Sequence, residues 1–478
     1  MKPYLLGVVG AILLGLVSAA SADLKSDIEK VLRDKALTGA KVGIQVARLG
    51  ATADEDRIVF SHNAATPLTP ASNMKLVTTA AALETLGPDF RFRTLLVRRG
   101  EDLILVGDGD PTFGDLELLK RVNWGVTTVF EKWAGELKRL GRNSVGNVLV
   151  DDSVFDEVFL HPRWPADQQA SRYVAQVGGM NLNFNCVDVV VRGRTAGSAA
   201  GFSLVPPTRY VKVSNSCTSG GQNAVWLNRA AGGNSITLRG SCPVNQTVQT
   251  SVTIHDPPMF AATVLAETLA GAEIKVTGKV GRDRTVRALV TGRKPAEAYA
   301  VIAAHETPIA QVLARANKES RNLYAEALCK RVGYAASGES GSWASGTAAA
   351  AAVLRRAGAE PEQFKLDDGC GLSRENAVSA SALVSLLRHA HRAAWREVYV
   401  NSLAIGGVDG TLDDRFTGDL KGRVLAKSGY INAVSTLSGY LKTKDGTWYA
   451  FSILINNPRG SGKPIHEAIV KAIDQNKP

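Results

Sequence analysis

The chain has 478 residues, 45% of them hydrophobic and 21% charged, a balance that suits folded globular units and excludes both an extended disordered chain and a polytopic membrane protein. At roughly 100 to 200 residues per domain, the length calls for more than one unit. The net charge of +11 suits polyanionic surroundings, among them anionic membrane, nucleic acid and cell-wall polymers, without choosing between them.

The chain opens on Lys2, an apolar run from Leu5 to Val17 and the small-residue stretch Ala20-Ser21-Ala22, which together read as an export signal over residues 1–22. The apolar run is shorter than the roughly 20 residues a helix needs to cross a bilayer, so a cleaved signal fits better than an anchor. An exported chain, most simply a periplasmic one, makes nucleic acid the least fitting partner. It also permits disulfides, and Cys186, Cys217, Cys242, Cys329 and Cys370 are too far apart for paired metal knuckles. Cys217 and Cys242 close two strand-like runs, Tyr210 to Val213 and Ser235 to Leu238, and are the first pair to expect; buried free thiols fit equally well.

Residues 23 to 36 have the spacing of an amphipathic helix, and Val42 to Ala47 and Ile58 to Ser61 read as strands. At the other end, Ser435 to Leu441 and Trp448 to Ile455 read as strands around the turn Lys444-Asp445-Gly446, followed by helical spacing from Ile465 to Ile473. The two ends thus describe one antiparallel sheet with flanking helices. Between about 92 and 285 the texture changes to short alternating strands with Gly, Pro, Asn and Thr punctuation. The expected organisation is an α+β domain in two parts, 23–91 and 286–478, around a β-rich insert at 92–285 whose inner portion spans about 175–250. From Thr307 the pattern is helical, with an Ala, Gly and Ser-rich loop at Ala335 to Gly346.

Ser72-Asn73-Met74-Lys75 follows Pro70 and opens an apolar-periodic run that stops at Gly87-Pro88, so Ser72 is expected at a helix N-terminus. Positions i and i+3 share a helix face, which lets the Lys75 amine lie over the Ser72 hydroxyl, and the helix dipole favours negative charge at that end. A serine hydroxyl needs a base to take its proton, and a lysine serves only if burial or nearby cations lower its pKa. The tetrad alone carries little, because ordinary residue frequencies give on the order of two in a chain this long. Downstream, however, Ser320-Arg321-Asn322 opens a helical stretch and Lys427-Ser428-Gly429 lies on a strand before the C-terminal hairpin. A second Ser-x-Asn, Ser61-His62-Asn63, precedes the tetrad in strand and turn and is read as chance.

Ser-x-x-Lys, Ser-x-Asn and Lys-Ser/Thr-Gly in that order resemble the active-site set of the penicillin-interacting serine enzymes. The surroundings narrow this further: Asp367-Asp368-Gly369-Cys370-Gly371-Leu372-Ser373-Arg374, Gly407-Val408-Asp409-Gly410-Thr411-Leu412, Gly107-Asp108-Gly109-Asp110-Pro111-Thr112, Asp151-Asp152-Ser153 and Asn183-Phe184-Asn185-Cys186-Val187 are similar to the class C low-molecular-mass penicillin-binding proteins. Those are D-alanyl-D-alanine carboxypeptidases and endopeptidases of penicillin-binding protein 4 type, and the resemblance spans nearly the whole chain after the signal. Two positions depart from it, Cys370 where serine is common and Ser428 where threonine is usual; Ser428 keeps the hydroxyl.

The resemblance implies a serine transpeptidase/β-lactamase-like fold, peptidoglycan stem peptides as substrates and β-lactams as inhibitors. It makes Ser72 the nucleophile, Lys75 its base and Ser320 the proton relay. Asn322 would hold Lys75 and the substrate amide, and Lys427 would lower the Lys75 pKa. Ser428, with Gly429 beside it, would take the terminal carboxylate, and the N–H groups of Ser72 and Tyr430 would form the oxyanion hole. Trp164, Asp167 and Tyr173, together with Leu372, Arg374 and Ile431, match positions that read a diaminopimelate side chain. No cofactor or metal is called for: Gly107 to Thr112 lacks a phosphate-loop lysine and calcium-loop spacing, and neither His-Glu-x-x-His nor Gly-x-Ser-x-Gly occurs. The competing readings are a β-lactamase sharing the three motifs, which the insert disfavours, and a non-catalytic wall-binding module, which the intact motif side chains disfavour.

Overall fold

The computed structural model describes residues 24–292 and 297–476, so the expected signal segment lies outside the described residues. The chain divides into two units: one holds the described residues up to Glu84, Leu313–Ser320 and Thr347 onward, the other Thr85–Val312 and Arg321–Gly346.

In the first unit, Val434–Lys442 and Trp448–Asn456 are buried along almost their whole length, which places them at the centre of a sheet covered on both faces. Six strands form it, in the order Arg57–His62, Lys41–Leu49, Trp448–Asn456, Val434–Lys442, Val424–Ile431, Ala404–Ile405, every neighbour antiparallel. Side chains alternate between faces along a strand, and here the odd positions Leu437, Leu441, Phe451 and Ile453 join Ile28 of the helix at 24–32 and Ile465, Ile469 and Ile473 of Lys463–Gln475 in one core. The even positions face the other way: the Tyr440 hydroxyl donates to the Leu387 carbonyl of the helix Ala380–Arg392, and the Ser438 hydroxyl accepts from the Asn73 amide at 2.6 Å. The two chain ends thus share one sheet, and its even face receives the segment that carries Ser72.

The second unit is built on a five-stranded mixed sheet, ordered Val280–Arg282, Val148–Asp151, Asp102–Val106, Arg91–Arg99, Tyr299–Pro308. Helices Thr128–Arg139 and Pro257–Gly271 bury Phe130, Trp133, Phe260 and Leu265 in its main core. Two further three-stranded sheets follow, one of Thr247–Thr253, Cys186–Arg192 and Gly201–Val205, the other of Trp226–Arg229, Ser235–Arg239 and Lys212–Asn215. The helix Asn322–Ser337 also belongs to this unit. No described helix is long and apolar enough to cross a membrane.

Candidate active site

Ser72 lies in a single 3-10 turn, Ala71–Asn73, that runs directly into the α-helix Met74–Leu86, one turn earlier than a regular helix start. Ala71 before it takes a left-handed backbone, φ 45°, which few non-glycine residues adopt. The turn presents the Ser72 hydroxyl 3.0 Å from the Lys75 amine. Lys75 is fully buried, and its amine also donates to the Cys370 carbonyl at 2.9 Å.

That carbonyl belongs to the Asp367–Arg374 segment. Buried Asp368 accepts the N–H groups of Gly371 and Ser373, each at 2.7 Å, and thereby folds the segment into a tight loop against the helix. Gly371, at φ 85°, sits so close that a β-carbon there would meet the Ala71 carbonyl at 1.8 Å; only glycine fits. The Gly369 carbonyl takes the Thr78 hydroxyl at 2.7 Å. Cys370 thus serves Lys75 through its main chain, which explains why a cysteine can stand where serine is common.

On the facing strand, Lys427 is fully buried and donates to the Ser428 carbonyl at 2.6 Å. Burial holds its amine well below the usual lysine range, and the positive charge of Lys75 lowers it further. A β-carbon on Gly429 would lie 2.9 Å from the Ser72 nitrogen, so glycine is required, and it brings the Gly429–Tyr430 peptide alongside the Ser72 amide. Tyr430 itself is 78% exposed. The Ser428 hydroxyl donates to Thr411 at 2.8 Å. Thr411 in turn donates its N–H to the Lys318 carbonyl, and the Lys318 amine pairs with Asp409 at 2.5 Å, so the Gly407–Leu412 segment braces the chain that leads into Ser320. Ser320 has φ 57° and ends that segment. Arg374 donates to the Asn432 carbonyl at 2.7 Å beside Ile431, and Leu372 is half-buried.

In the second unit, Asn322 opens the helix Asn322–Ser337 and donates to the Tyr173 carbonyl at 2.9 Å. Arg321 before it is held by Glu117 at 2.5 Å, and Glu117 also binds Arg172 at 3.1 Å. Tyr173 is 46% exposed, and its phenol is pushed up by burial and by the nearby Asp167 carboxylate, which places these two candidates together. Trp164, expected beside them, is only 5% exposed; its ring packs 5.9 Å from His161 and 5.8 Å from Trp343, where it anchors the loop and offers little surface. All five cysteines are buried thiols, including Cys217 and Cys242, which are close enough for one to raise the pKa of the other.

The first unit therefore gathers Ser72, Lys75, Lys427, Ser428 and Gly429, a hydroxyl against one buried amine with a second nearby. That arrangement suits proton removal from a serine and acyl transfer to it. Sequence reading missed Thr411 as the partner of Ser428 and the Cys370 carbonyl as a partner of Lys75, although both lie in segments already singled out; Glu117 carried no signal.

A model of the Peptidase S13 family, D-Ala-D-Ala carboxypeptidase 3, matches residues 24–476. A D-alanyl-D-alanine carboxypeptidase of Actinomadura sp. is 33% identical over 92% of this chain and 82% of its own length. D-alanyl-D-alanine carboxypeptidase DacB of Haemophilus influenzae is 24% identical over 87% of this chain and 86% of that one. The crystal structure of penicillin binding protein 4 from Haemophilus influenzae superposes with a TM-score of 0.75, covering 94% of this chain and 98% of that chain at 21% identity, which establishes a shared fold.

Proposed function

The chain belongs to the D-Ala-D-Ala carboxypeptidase (S13) family and is a penicillin-sensitive serine-type carboxypeptidase acting on peptidoglycan, and from that premise we propose that its acyl-enzyme forms on Ser72. One observation carries the assignment: the Ser72 hydroxyl lies 3.0 Å from the amine of Lys75, which is fully buried.

Lys75, acting as base, takes the Ser72 proton as the oxygen attacks the carbonyl of the penultimate D-alanine. The oxyanion is received by the N–H groups of Ser72 and Tyr430, where each donor of such a pair is typically worth about 3 to 4 kcal/mol. Lys427 is the second amine beside Lys75, and two like charges so placed disfavour both being protonated, which leaves a proton acceptor at the serine. Ser320 passes a proton to the leaving nitrogen, and Asn322 orients Lys75 and the substrate amide. Ser428, beside Gly429, receives the terminal carboxylate in a charge-assisted hydrogen bond. D-Alanine departs, and water hydrolyses the ester with Lys75 again as base. Asp167 is assigned the free amine of a diaminopimelate side chain; Tyr173, Leu372, Arg374 and Ile431 complete that recognition, and Trp164 supports the loop from within. Export to the periplasm and peripheral contact of the basic chain with anionic membrane or wall polymers belong to the same proposal.

Intact-protein mass spectrometry after incubation with benzylpenicillin tests it, on wild type, Ser72→Ala and Lys75→Ala, with peptide mapping of the adduct. A long-lived adduct on Ser72 that both variants lose is the expected result. A wild type that takes up no drug, or turns it over rapidly as a β-lactamase does, rejects the assignment.

A further inference from the structure

In the second unit, the three-stranded sheet of Trp226–Arg229, Ser235–Arg239 and Lys212–Asn215 has two unlike faces. Ile236 and Leu238 are buried in the main core of the unit, with Leu227 and Val213 packed against it. Alternation along each strand then sends the intervening residues outward. The register pairs Trp226 with Arg239 and Asn228 with Thr237 across one strand boundary, and Ser235 with Lys212 across the other, and residues so paired share a face. Trp226, Asn228, Ser235, Arg239 and Lys212 are exposed, and Thr237 is half-buried.

The outer face does not spend its chemistry on itself. Of the seven tryptophans in the chain Trp226 alone is exposed, at 51%. Among the described residues, none of these six side chains hydrogen-bonds or ion-pairs with another group. The charge is one-sided, because Lys212 and Arg239 are cations and the three strands hold no aspartate or glutamate.

Such a face matches an amino-sugar polymer. The C–H face of a pyranose ring lies flat on an indole, whose π cloud attracts the slightly positive hydrogens. Hydroxyl and N-acetyl groups at the ring edge need donors and acceptors, which Asn228, Thr237 and Ser235 supply. Same-face neighbours stand about 7 Å apart along a strand and about 5 Å apart across strands, a shallow grid suited to an extended chain. Lys212 and Arg239 can meet carboxylates in charge-assisted hydrogen bonds. The polymer this protein acts on supplies all of these groups: peptidoglycan has strands of N-acetylated amino sugars, with a lactyl carboxylate wherever a stem has been removed. A membrane contact needs broad apolar area beside its cations, and a protein interface needs an apolar centre; one tryptophan furnishes neither.

We infer that the outer face of this sheet binds the glycan strand of peptidoglycan, with Trp226 as the stacking platform and Lys212 and Arg239 as the carboxylate contacts. The inference gives the contact with wall polymers proposed above a place and a ligand, and it stands independently of the Ser72 assignment.

The test uses the full-length protein with three reagents: glycan strands stripped of their stems by an amidase, vesicles of anionic phospholipid, and a soluble pentapeptide ending in D-Ala-D-Ala. Isothermal titration calorimetry should show the wild type binding the strands. Trp226→Ala should raise the Kd about tenfold, the usual loss for a central aromatic anchor, and Trp226→Tyr should keep it within about threefold. Lys212→Gln/Arg239→Gln should raise it about three- to fivefold at low salt and less at high salt, because exposed charge contacts are weak and screened. D-Alanine release from the pentapeptide should stay within about twofold in all three variants. Strands that the wild type does not bind, or that Trp226→Ala binds as tightly, overturn the inference. Equal losses in Trp226→Tyr and Trp226→Ala overturn it too, since an aromatic platform tolerates the smaller ring. A preference for the vesicles over the strands would make the face a membrane contact and has the same effect. Strand binding by a wild type that releases no D-alanine from the pentapeptide upholds the glycan site and removes the Ser72 assignment instead.

Discussion

Both units bury lysine completely, Lys75 and Lys427 in the first and Lys330 in the second, and the surroundings treat them in opposite ways. In the second unit Lys330 donates to Asp156 at 2.6 Å and to the Val158 carbonyl at 2.6 Å, and lies 3.8 Å over the Trp343 ring. Burial lowers its pKa, but Asp156 and Glu326 work against that. In the first unit the charge acting on buried Lys427 is the like charge of Lys75. A buried cation given a carboxylate is a fastening; a buried cation given another cation is a base in waiting.

The largest expected effect separates the two. Lys75→Met should cut the rate of acylation by penicillin about 10²–10⁴-fold, the usual worth of a positioned base, while thermal unfolding stays the same or improves. Lys330→Met should do the reverse, costing about 3 kcal/mol because Asp156 is stranded, with acylation by the surviving folded fraction near wild type. Matching stopped-flow acylation against denaturant unfolding of both variants checks this, and equal stability losses would dissolve the distinction.

A smaller effect sets the units apart by pH. In the first, burial lowers His466 to about 3 and His391 to about 4, both from 6.5. The unfolded chain therefore takes up protons first, so this contribution is complete above pH 6.5 and drains as pH falls toward 4. In the second, burial raises Asp152 from 3.8 to about 6 despite Arg282 and Arg284, so its contribution is present below 3.8 and is lost as pH rises through 6. Hydrogen exchange corrected for intrinsic rates, at pH 7 and 4.5, should show the first unit weakening on acidification more than the second. His466→Leu should flatten the slope of the first.

The smallest effect concerns Cys370. Because its carbonyl is what Lys75 uses, Cys370→Ser should leave acylation within twofold, whereas Gly371→Ala, which drives a methyl into the Ala71 carbonyl, should not. Rates of penicillin acylation for the two variants decide it.

Much of this was legible from residues alone, and the reason differs by element. The central strands Val434–Lys442 and Trp448–Asn456 announce themselves as long apolar runs around Asp445-Gly446, and the Ser72–Lys75 pairing follows from helical spacing. Elsewhere the expected β-rich texture of 92–285 hid a helix. The strand Thr247–Thr253 ends before Asp256-Pro257-Pro258, and Asp256 then caps the helix Pro257–Gly271, because proline is as welcome in a first helical turn as it is unwelcome in a sheet. The serines of the expected loop Ala335 to Gly346 do similar work: Ser342 and Ser345 exchange N–H to hydroxyl bonds at 3.0 Å, and a helix starts at Trp343 rather than Thr347. Carbonyl contacts such as that of Cys370 leave no mark in residue type, and charge pairs such as Glu117 with Arg321 join positions too distant in sequence for periodicity to link.

The left-handed Ala71 has a bearing on how such an enzyme can be improved. A non-glycine residue held in that region stores about 1–3 kcal/mol, and the loop at Gly371 packs directly against it. Ala71→Gly would release that strain, so a laboratory search for heat resistance would be drawn to it. The same relief would free the turn that holds Ser72, the proposed nucleophile. Heat-selected lineages that change this position should thus trade turnover for endurance, and those that keep it will have found their robustness elsewhere.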